Sequence, residues 1–195
     1  MHDAIVEEPR MAELKRRLVT LYDVYNAKLL RKSCLSIRGG AGVIERILGE
    51  GKYRHALEIG TFRGVGAAAL SLYCERVTTI DLKHGQLEVM GEPFDRYALW
   101  EQLGRNNIDL HLVEDNAEKA EIVNALDFDI AFIDGAHQTA GVTFDFNLVK
   151  RCGTVLFHDY DRRGGPGQDD VANFVDSLPK AQVQAMDIFA LWTAP

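Results

Sequence analysis

The chain is poor in the residues that mark disulfide scaffolds, zinc knuckles and multidomain linkers. Its 195 residues contain three cysteines, Cys34, Cys74 and Cys152, and no two of them stand at a C-x-x-C spacing. An odd number cannot all pair, so we expect reduced thiols that serve packing. Prolines number only five, and no stretch rich in proline and serine divides the chain. A single domain, residues 1–195, is therefore predicted.

Long apolar runs and an excess of basic residues are also missing. No run approaches the roughly 20 apolar residues that a membrane-spanning helix needs. Residues 1–4 lack the basic and then apolar regions of a signal peptide, and Glu7 and Glu8 follow them. The net charge of −7 disfavours nonspecific nucleic-acid binding, which depends on Lys and Arg. These absences predict a cytoplasmic protein with a small-molecule partner, no nucleic acid and no membrane.

The N-terminal part of the chain carries an amphipathic pattern. Apolar residues recur there at spacings of three and four, with basic residues between them, in the series Met11, Leu14, Leu18, Leu21, Tyr22, Tyr25 and Leu29. This spacing is typical of a helix, which we place at residues 11–32 within an N-terminal extension, residues 1–40. An exposed apolar stripe often mediates contact between copies, so one interpretation is a homodimer through this helix.

Residues 41–195 alternate between short apolar runs and longer segments of helical spacing. Strands are predicted at 56–59, 77–80, 110–113, 130–133 and 154–157, and helices around 43–48, 64–73, 86–104, 117–125, 139–150 and 170–178. Alternation of this kind indicates an α/β fold with a parallel sheet covered on both faces. Two further strands, 183–186 and 188–192, leave no room for a helix between them. They should pair as an antiparallel hairpin at the sheet edge.

A glycine loop, EIGTFRGVG from Glu58 to Gly66, follows the first predicted strand. Glycine lets the backbone approach a ligand where a Cβ atom would clash. The spacing G-x-x-x-G-x-G differs from the G-x-G-x-x-G fingerprint of dinucleotide enzymes, which disfavours a nicotinamide-dependent dehydrogenase. By itself the loop is equally well explained as a tight turn between strand and helix.

An acidic residue after the second strand adds a second signal. Asp81 stands 21 residues after Gly60, near the spacing at which a carboxylate accepts the two hydroxyl protons of a ribose. With this pair of features the sequence resembles the class I S-adenosylmethionine (SAM) dependent methyltransferases, which have a Rossmann-like, doubly wound, mostly parallel seven-stranded sheet. The resemblance implies ribose binding by Asp81. It implies further cofactor contacts at Glu58, Gly60, Thr61, Gly64, Asp115 (near the adenine) and Asp134.

Polar residues also follow the fourth and fifth predicted strands. Asp134 and His137 come after one, and His158, Asp159 and Tyr160 after the other. Both clusters are similar to the O-methyltransferase branch that includes the catechol and macrocin enzymes. In catechol-type enzymes an Asp after strand four and an Asp-Asn pair after strand five hold magnesium. The resemblance thus implies metal ligands at Asp134 and Asp159, whereas Tyr160 replaces the third ligand.

His137 occupies the position of the catalytic lysine of the catechol-type enzymes. Neutral imidazole can accept a proton at physiological pH, so the expected catalytic set is His137 as base with Asp134 and Asp159. His158 is interpreted as a supporting hydrogen-bond partner, and His55 and His111 as structural residues within strands.

The sequence therefore predicts methyl transfer from SAM to a small-molecule acceptor, at a hydroxyl oxygen, with magnesium as an optional cofactor. Acceptor choice is assigned to the helix at 11–32 and to segments 83–97 and 161–167. Two alternatives stay open. One is a different reaction on the same fold, such as aminopropyl transfer, and the other is a non-catalytic SAM-binding partner subunit.

Overall fold

The computed structural model describes most of the chain after residue 40 and a few residues before it: 9–10, 12–13, 16–17, 40–49, 53–84, 94–160 and 169–195. The described residues within the predicted N-terminal helix are helical, and the rest of that helix lies outside these ranges. The whole of segment 161–167 and part of segment 83–97 lie outside them as well. No helix in the described part is long and apolar enough to cross a membrane.

A seven-stranded sheet forms the centre of the molecule. Its strands are β1 (His55–Ile59), β2 (Arg76–Leu82), β3 (Ile108–Val113), β4 (Ile130–Ile133), β5 (Thr154–Phe157), β6 (Val183–Met186) and β7 (Phe189–Thr193). Their order across the sheet is β3-β2-β1-β4-β5-β7-β6. The first five strands pair in parallel, and β7 runs antiparallel to both β5 and β6. This confirms the predicted mostly parallel sheet with antiparallel C-terminal strands.

Helix α1 (Gly40–Leu48) precedes β1, and the part of the chain that the structure describes has further helices between its strands: α2 (Val65–Leu70), α3 (Arg96–Gln102), α4 (Asn116–Ala125), α5 (Thr139–Val149) and α6 (Asp169–Ser177). Two 3₁₀ turns follow α5 and precede β6, at Lys150–Cys152 and Lys180–Gln182. The helix predicted around 86–104 begins later in the described part, because the Asp95 side chain accepts a hydrogen bond from the Ala98 amide and caps α3.

Both faces of the sheet are covered, as the doubly wound prediction requires. One apolar cluster joins the sheet to α1, α2 and α3, with Ile44, Leu70 and Leu99 at its centre. The other joins it to α4, α5 and α6, where Phe146 and Phe157 lie 5.7 Å apart between ring centroids. The helix layers hold the strand ends rigidly, so residues that follow the strands have fixed positions.

The carboxyl ends of the parallel strands meet at one edge of the sheet. Strand β1 lies between β2 and β4 in the sheet. The connections after β1 and β4 therefore begin side by side at the centre of that edge. In open α/β sheets, ligands bind in the crevice at such a point of reversed strand order. The predicted glycine loop, Asp81, Asp134 and Asp159 all follow strands at this edge.

Candidate active site

A cavity of about 450 Å³ opens at the carboxyl ends of β1, β2, β3 and β4. This volume lies within the range of small-molecule and cofactor sites. Polar groups stand among apolar walls in its lining, which consists of Ile59, Gly60, Phe62, Ile80, Asp81, Leu82, Val113, Asn116, Lys119, Asp134, Gly135, Ala136, Gln138, Gly141 and Asp145. Of the predicted site residues, the cavity thus includes Gly60, Asp81 and Asp134.

The glycine loop requires glycine at two positions. Gly60 has φ of +97°, and a Cβ atom there would collide with the carbonyl oxygen of Asp134. Gly64 has φ of +76°, and its Cβ would lie 2.7 Å from Nε1 of Trp100, which donates a hydrogen bond to the Gly64 carbonyl. Gly60 is therefore required for the close packing of the loop against the backbone of Asp134, and it also belongs to the cavity lining.

Glu58 and Thr61 support this loop from behind. Glu58 is only 1% exposed and accepts a hydrogen bond from the Thr79 hydroxyl, and Thr79 also contacts the Thr61 hydroxyl at 2.6 Å. Burial raises the pKa of Glu58 well above its usual value, and the charges of Asp134 and Asp81 act in the same direction. The Glu58 side chain therefore fills the space beneath the loop, and neither it nor Thr61 belongs to the cavity lining.

Asp81 lies in the cavity with its carboxylate already oriented. Its Oδ2 accepts from the Phe62 amide at 3.0 Å and from Nη2 of Arg96 at 2.7 Å, and its Oδ1 accepts from the Leu82 amide at 3.0 Å. Arg96 is buried and also donates from Nε to the Phe62 carbonyl at 2.5 Å. One guanidinium thus fixes both the glycine loop and the predicted ribose ligand. Arg96 was not predicted as a site residue, because no local spacing in the sequence relates it to Asp81.

Asp115 caps helix α4. Its Oδ1 accepts hydrogen bonds from the amides of Ala117 and Glu118, at 2.8 and 3.0 Å. Its neighbour Asn116, rather than Asp115 itself, belongs to the cavity lining. The predicted contact between Asp115 and the adenine stays a prediction.

A second cluster stands beside the cavity, at the ends of β4 and β5. Nδ1 of His158 lies 3.2 Å from Oδ1 of Asp134 and 3.0 Å from Oδ1 of Asp159. Nε2 of His137 lies 3.0 Å from the other oxygen of Asp159, Oδ2. The structure thus brings together the three predicted catalytic residues, and Asp134 belongs to both the cavity and this cluster.

His158 is buried between the two carboxylates, and its ring meets those of Phe132 and Phe189 edge-on. Burial opposes its charged form, but the charges and hydrogen bonds of Asp134 and Asp159 outweigh burial and raise the pKa of His158 to about 10. His158 is therefore an imidazolium at neutral pH. It ties the two carboxylates together, which extends the supporting role that the sequence suggested.

Asp159 has an unusual backbone, with φ of +57°. The left-handed region costs a residue other than glycine about 1 kcal/mol, and such strain concentrates at functional sites. The turn allows one oxygen of Asp159 to face His158 and the other to face His137.

Magnesium ligation at Asp134 and Asp159 fits the donor set poorly. Mg²⁺ requires near-octahedral oxygen ligands. The Tyr160 hydroxyl, at the position of the third ligand, instead donates to Asp176 of α6 at 2.8 Å. Among the described residues, the third donor group near the two carboxylates is the imidazole of His158. The positively charged His158 ring lies between the two carboxylates, where a divalent cation would have to bind.

His55 and His111 lie in strands, as expected of structural residues. Nε2 of His55 lies 2.9 Å from the Thr78 hydroxyl and Nδ1 lies 2.6 Å from the Asp127 carbonyl oxygen. Nε2 of His111 lies 3.4 Å from Oδ2 of Asp109, at the edge of the sheet. Neither ring belongs to the cavity or to the second cluster.

Solved structures with the same fold include several methyltransferases. An O-methyltransferase from Bacillus cereus in complex with SAH is 15% identical, with a TM-score of 0.62 over 98% of this chain and 93% of that one. The O-methyltransferase TomG from Streptomyces achromogenes, in complex with SAM, is 16% identical, with a TM-score of 0.62 over 98% and 92%. The methyltransferase PaMTH1 from Podospora anserina, bound to SAH, is 12% identical, with a TM-score of 0.61 over 96% and 89%.

Sequence comparison with curated proteins finds no significant match. Residues 57–160, however, match the family described as "Methyltransferase domain". The match covers more than half of the chain and contains the glycine loop, Asp81 and both polar clusters. It confirms the family that the sequence analysis named: the chain belongs to the methyltransferase domain family.

Proposed function

We propose that this protein transfers the methyl group of SAM to a hydroxyl oxygen of a small molecule. The observation that carries the proposal is the double role of Asp134. Its backbone lies over Gly60 in the cavity, and its carboxylate belongs to the cluster with His158 and Asp159. A cofactor cavity and a group of proton-accepting side chains therefore share one residue.

The residues of the cavity fit SAM. Gly60 presents side-chain-free backbone in the cavity lining, which suits the close approach of the methionine portion. Asp81 presents a carboxylate at the end of β2, which suits the ribose hydroxyls. When bound, SAM supplies an electrophilic methyl group on a cationic sulfonium, so the protein needs no covalent intermediate of its own. The roles of Glu58, Thr61 and Gly64 in this scheme are to hold the loop.

Proton removal from the acceptor falls to His137. Its side chain is 42% exposed and therefore accessible to a ligand beside the cavity. Asp159 at 3.0 Å favours the tautomer in which Nε2 carries the proton and donates it to the carboxylate. Nδ1 is then the atom that accepts the hydroxyl proton. His158 fixes Asp159 from the other side, so the base is oriented through two residues.

The first experiment is a calorimetric titration of the purified protein with S-adenosylhomocysteine (SAH), with NAD as the control ligand. We expect binding in the micromolar range and no response to NAD. Absence of SAH binding would overturn the proposal. SAH binding without turnover on any hydroxylated acceptor would favour the non-catalytic partner subunit, and a product other than a methylated acceptor would favour another transfer reaction.

Metal dependence is tested by adding EDTA to the turnover assay with a hydroxylated acceptor. We expect less than about a twofold change in rate, because the charge of His158 already compensates part of the charge of the two carboxylates. Loss of activity that magnesium restores would instead support the ligand roles of Asp134 and Asp159.

Two finer features belong to the same proposal. We infer a cytoplasmic location from the composition, and a homodimer through the N-terminal helix from its apolar stripe. Sedimentation of the full chain at micromolar concentration tests the second feature, and a monomer there would contradict it.

A further inference from the structure

A buried ion pair forms part of the cavity lining. Nζ of Lys119, on α4, contacts Oδ1 of Asp145, on α5, at 2.5 Å. Asp145 is 0% exposed and Lys119 is 7% exposed, yet both belong to the cavity lining. The fold requires neither residue to be charged, and the methyl-transfer chemistry proposed above uses neither of them.

The second oxygen of Asp145 is an unused acceptor. Oδ2 is buried and has no hydrogen-bond partner among the residues that the structure describes. It lies 3.6 Å from the position that a Cβ atom of Gly135 would take, so it is directed toward the end of β4. Burial raises the pKa of Asp145, and the Lys119 charge opposes this. A buried acceptor without a donor costs free energy, which a ligand N–H group in the cavity would recover.

The position of this pair relative to Asp81 indicates which part of a cofactor it would meet. Gly60 and Asp81 account for the methionine and ribose portions at the ends of β1 and β2. The rest of the lining includes residues of α4 and α5 and the apolar residues Leu82, Val113 and Ala136. Apolar walls beside a buried polar pair suit a flat aromatic base whose edge carries hydrogen-bonding groups.

We propose that Asp145 and Lys119 read the adenine of the cofactor. Asp145 Oδ2 accepts a hydrogen bond from the exocyclic amino group N6, and Lys119 Nζ donates a hydrogen bond to the neighbouring ring nitrogen N1. The proposal rests on the proposed function, since it assumes that SAM occupies this cavity. It makes the ion pair a specificity determinant for the base.

The chemistry of hypoxanthine provides a sharp contrast. Replacement of the amino group by a carbonyl turns N6–H into an acceptor oxygen and N1 into a donor. Both groups then face the wrong partner: the oxygen meets a carboxylate, and the N–H meets an ammonium. A site built for one hydrogen-bonding pattern discriminates strongly against the reversed one.

The unmodified protein tests this directly, by calorimetry with SAH and with its deaminated analogue S-inosylhomocysteine. We expect SAH to bind at least about tenfold more tightly, from the loss of one charged hydrogen bond. Equal affinities would overturn the proposal while leaving the proposed function intact. Failure of both ligands to bind would overturn the proposed function itself, and this inference with it.

The variant Asp145→Asn tests whether Asp145 causes the discrimination between SAH and S-inosylhomocysteine. Its amide can present an NH₂ group to the carbonyl of hypoxanthine, so the affinity ratio of the two ligands should fall to about one or invert. A structural role alone would weaken both ligands equally and keep the ratio. Asp109→Asn, an exposed carboxylate on β3, is the matched control and should keep the full ratio.

Loss of the Asp145 charge leaves Lys119 buried without its partner, which can prevent folding. The double variant Lys119→Gln with Asp145→Asn removes both charges together and provides the second test. It should also lose the preference for SAH. A double variant that folds and keeps the wild-type ratio would contradict the assignment of the pair.

Discussion

The cofactor end and the acceptor end of the site differ in the kinds of residue that form them. At the cofactor end, the Gly60 loop is held by backbone packing and by buried side chains such as Glu58 and Arg96. At the acceptor end, ionisable groups follow β4 and β5, and His137 reaches solvent. Under the proposed function this contrast divides the tasks: one end would hold a constant ligand by shape, and the other would perform proton chemistry by charge.

His137→Ala should break the acceptor end alone and has the largest expected effect. Removal of a general base lowers the rate by about 10²- to 10⁴-fold. The affinity for SAH should stay within about threefold, because His137 is not part of the cavity lining. Steady-state rates and calorimetry on one preparation measure the two effects. His111→Ala, in β3 and outside both the cavity and the second cluster, is the control, and an unchanged rate in His137→Ala would remove this residue from the mechanism.

Gly60→Ala should break the cofactor end. The added Cβ would meet the Asp134 carbonyl, and the backbone would keep its positive φ, so we expect at least about a hundredfold loss of SAH affinity. Gly153→Ala is a matched control, because Gly153 has φ of +81° and its added Cβ would meet no atom closer than 3.9 Å. It should lose about 1 kcal/mol of stability and keep SAH binding. Equal loss of binding in both variants would show general destabilisation instead.

Arg96→Met should weaken the cofactor end without collapsing it. The variant removes the donor that holds both Asp81 and the Phe62 carbonyl, so SAH affinity should fall by about tenfold. The rate at saturating cofactor should change much less. Calorimetry and a comparison of kcat with KM measure this split, and a fall in kcat with an unchanged KM would contradict a positioning role.

Glu58→Gln should have the smallest effect on binding, within about threefold, because Gln keeps the shape and can still accept from Thr79. Its effect is on stability. The pKa of Glu58 is raised in the folded state, so above pH 4.5 the unfolded chain releases a proton that the folded chain retains. The free energy of unfolding therefore falls as pH rises through this range.

The Glu58→Gln variant should lack this decrease in the free energy of unfolding with rising pH. Denaturant unfolding at pH 5 and at pH 8 compares the two proteins, and the stability of Glu58→Gln relative to the wild type should increase with pH. A constant difference between them would indicate that Glu58 is ionised in the folded protein.

The strands and the residues at their ends could be predicted from the sequence. Each predicted strand agrees with the structure to within two residues at each end, because apolar runs of strand length between helical segments are a local signal. Asp81, Asp134 and Asp159 were found for the same reason: Asp81 lies at the end of β2, and Asp134 and Asp159 come within two residues after β4 and β5, so topology fixes their places at the sheet edge.

Residues that act through distant partners were not found. Lys119 and Asp145 lie 26 residues apart on two helices, and their contact depends on how those helices pack. Arg96 contacts Asp81 from helix α3. No spacing in the sequence marks such pairs, because tertiary packing alone brings them together.

Asp115 shows a different kind of ambiguity. An acidic residue followed three positions later by Glu118 is typical of a helix N-cap, and Glu118 Oε2 accepts from the Glu114 amide at 2.6 Å. The local signal for a cap was present in the sequence, beside the family signal for an adenine contact. Only coordinates show that Asp115 Oδ1 is engaged by the helix.

Asp134 has consequences for how such an enzyme could diversify or be redesigned. Its amide donates to the Ile59 carbonyl at 2.9 Å, its carbonyl covers Gly60, and its carboxylate faces His158. A change here would disturb methyl donor and base at once, so selection for a new acceptor has little freedom at this position. Engineering of the acceptor range is better directed at a neighbouring position such as Tyr160, whose hydroxyl contacts Asp176 and not the two carboxylates.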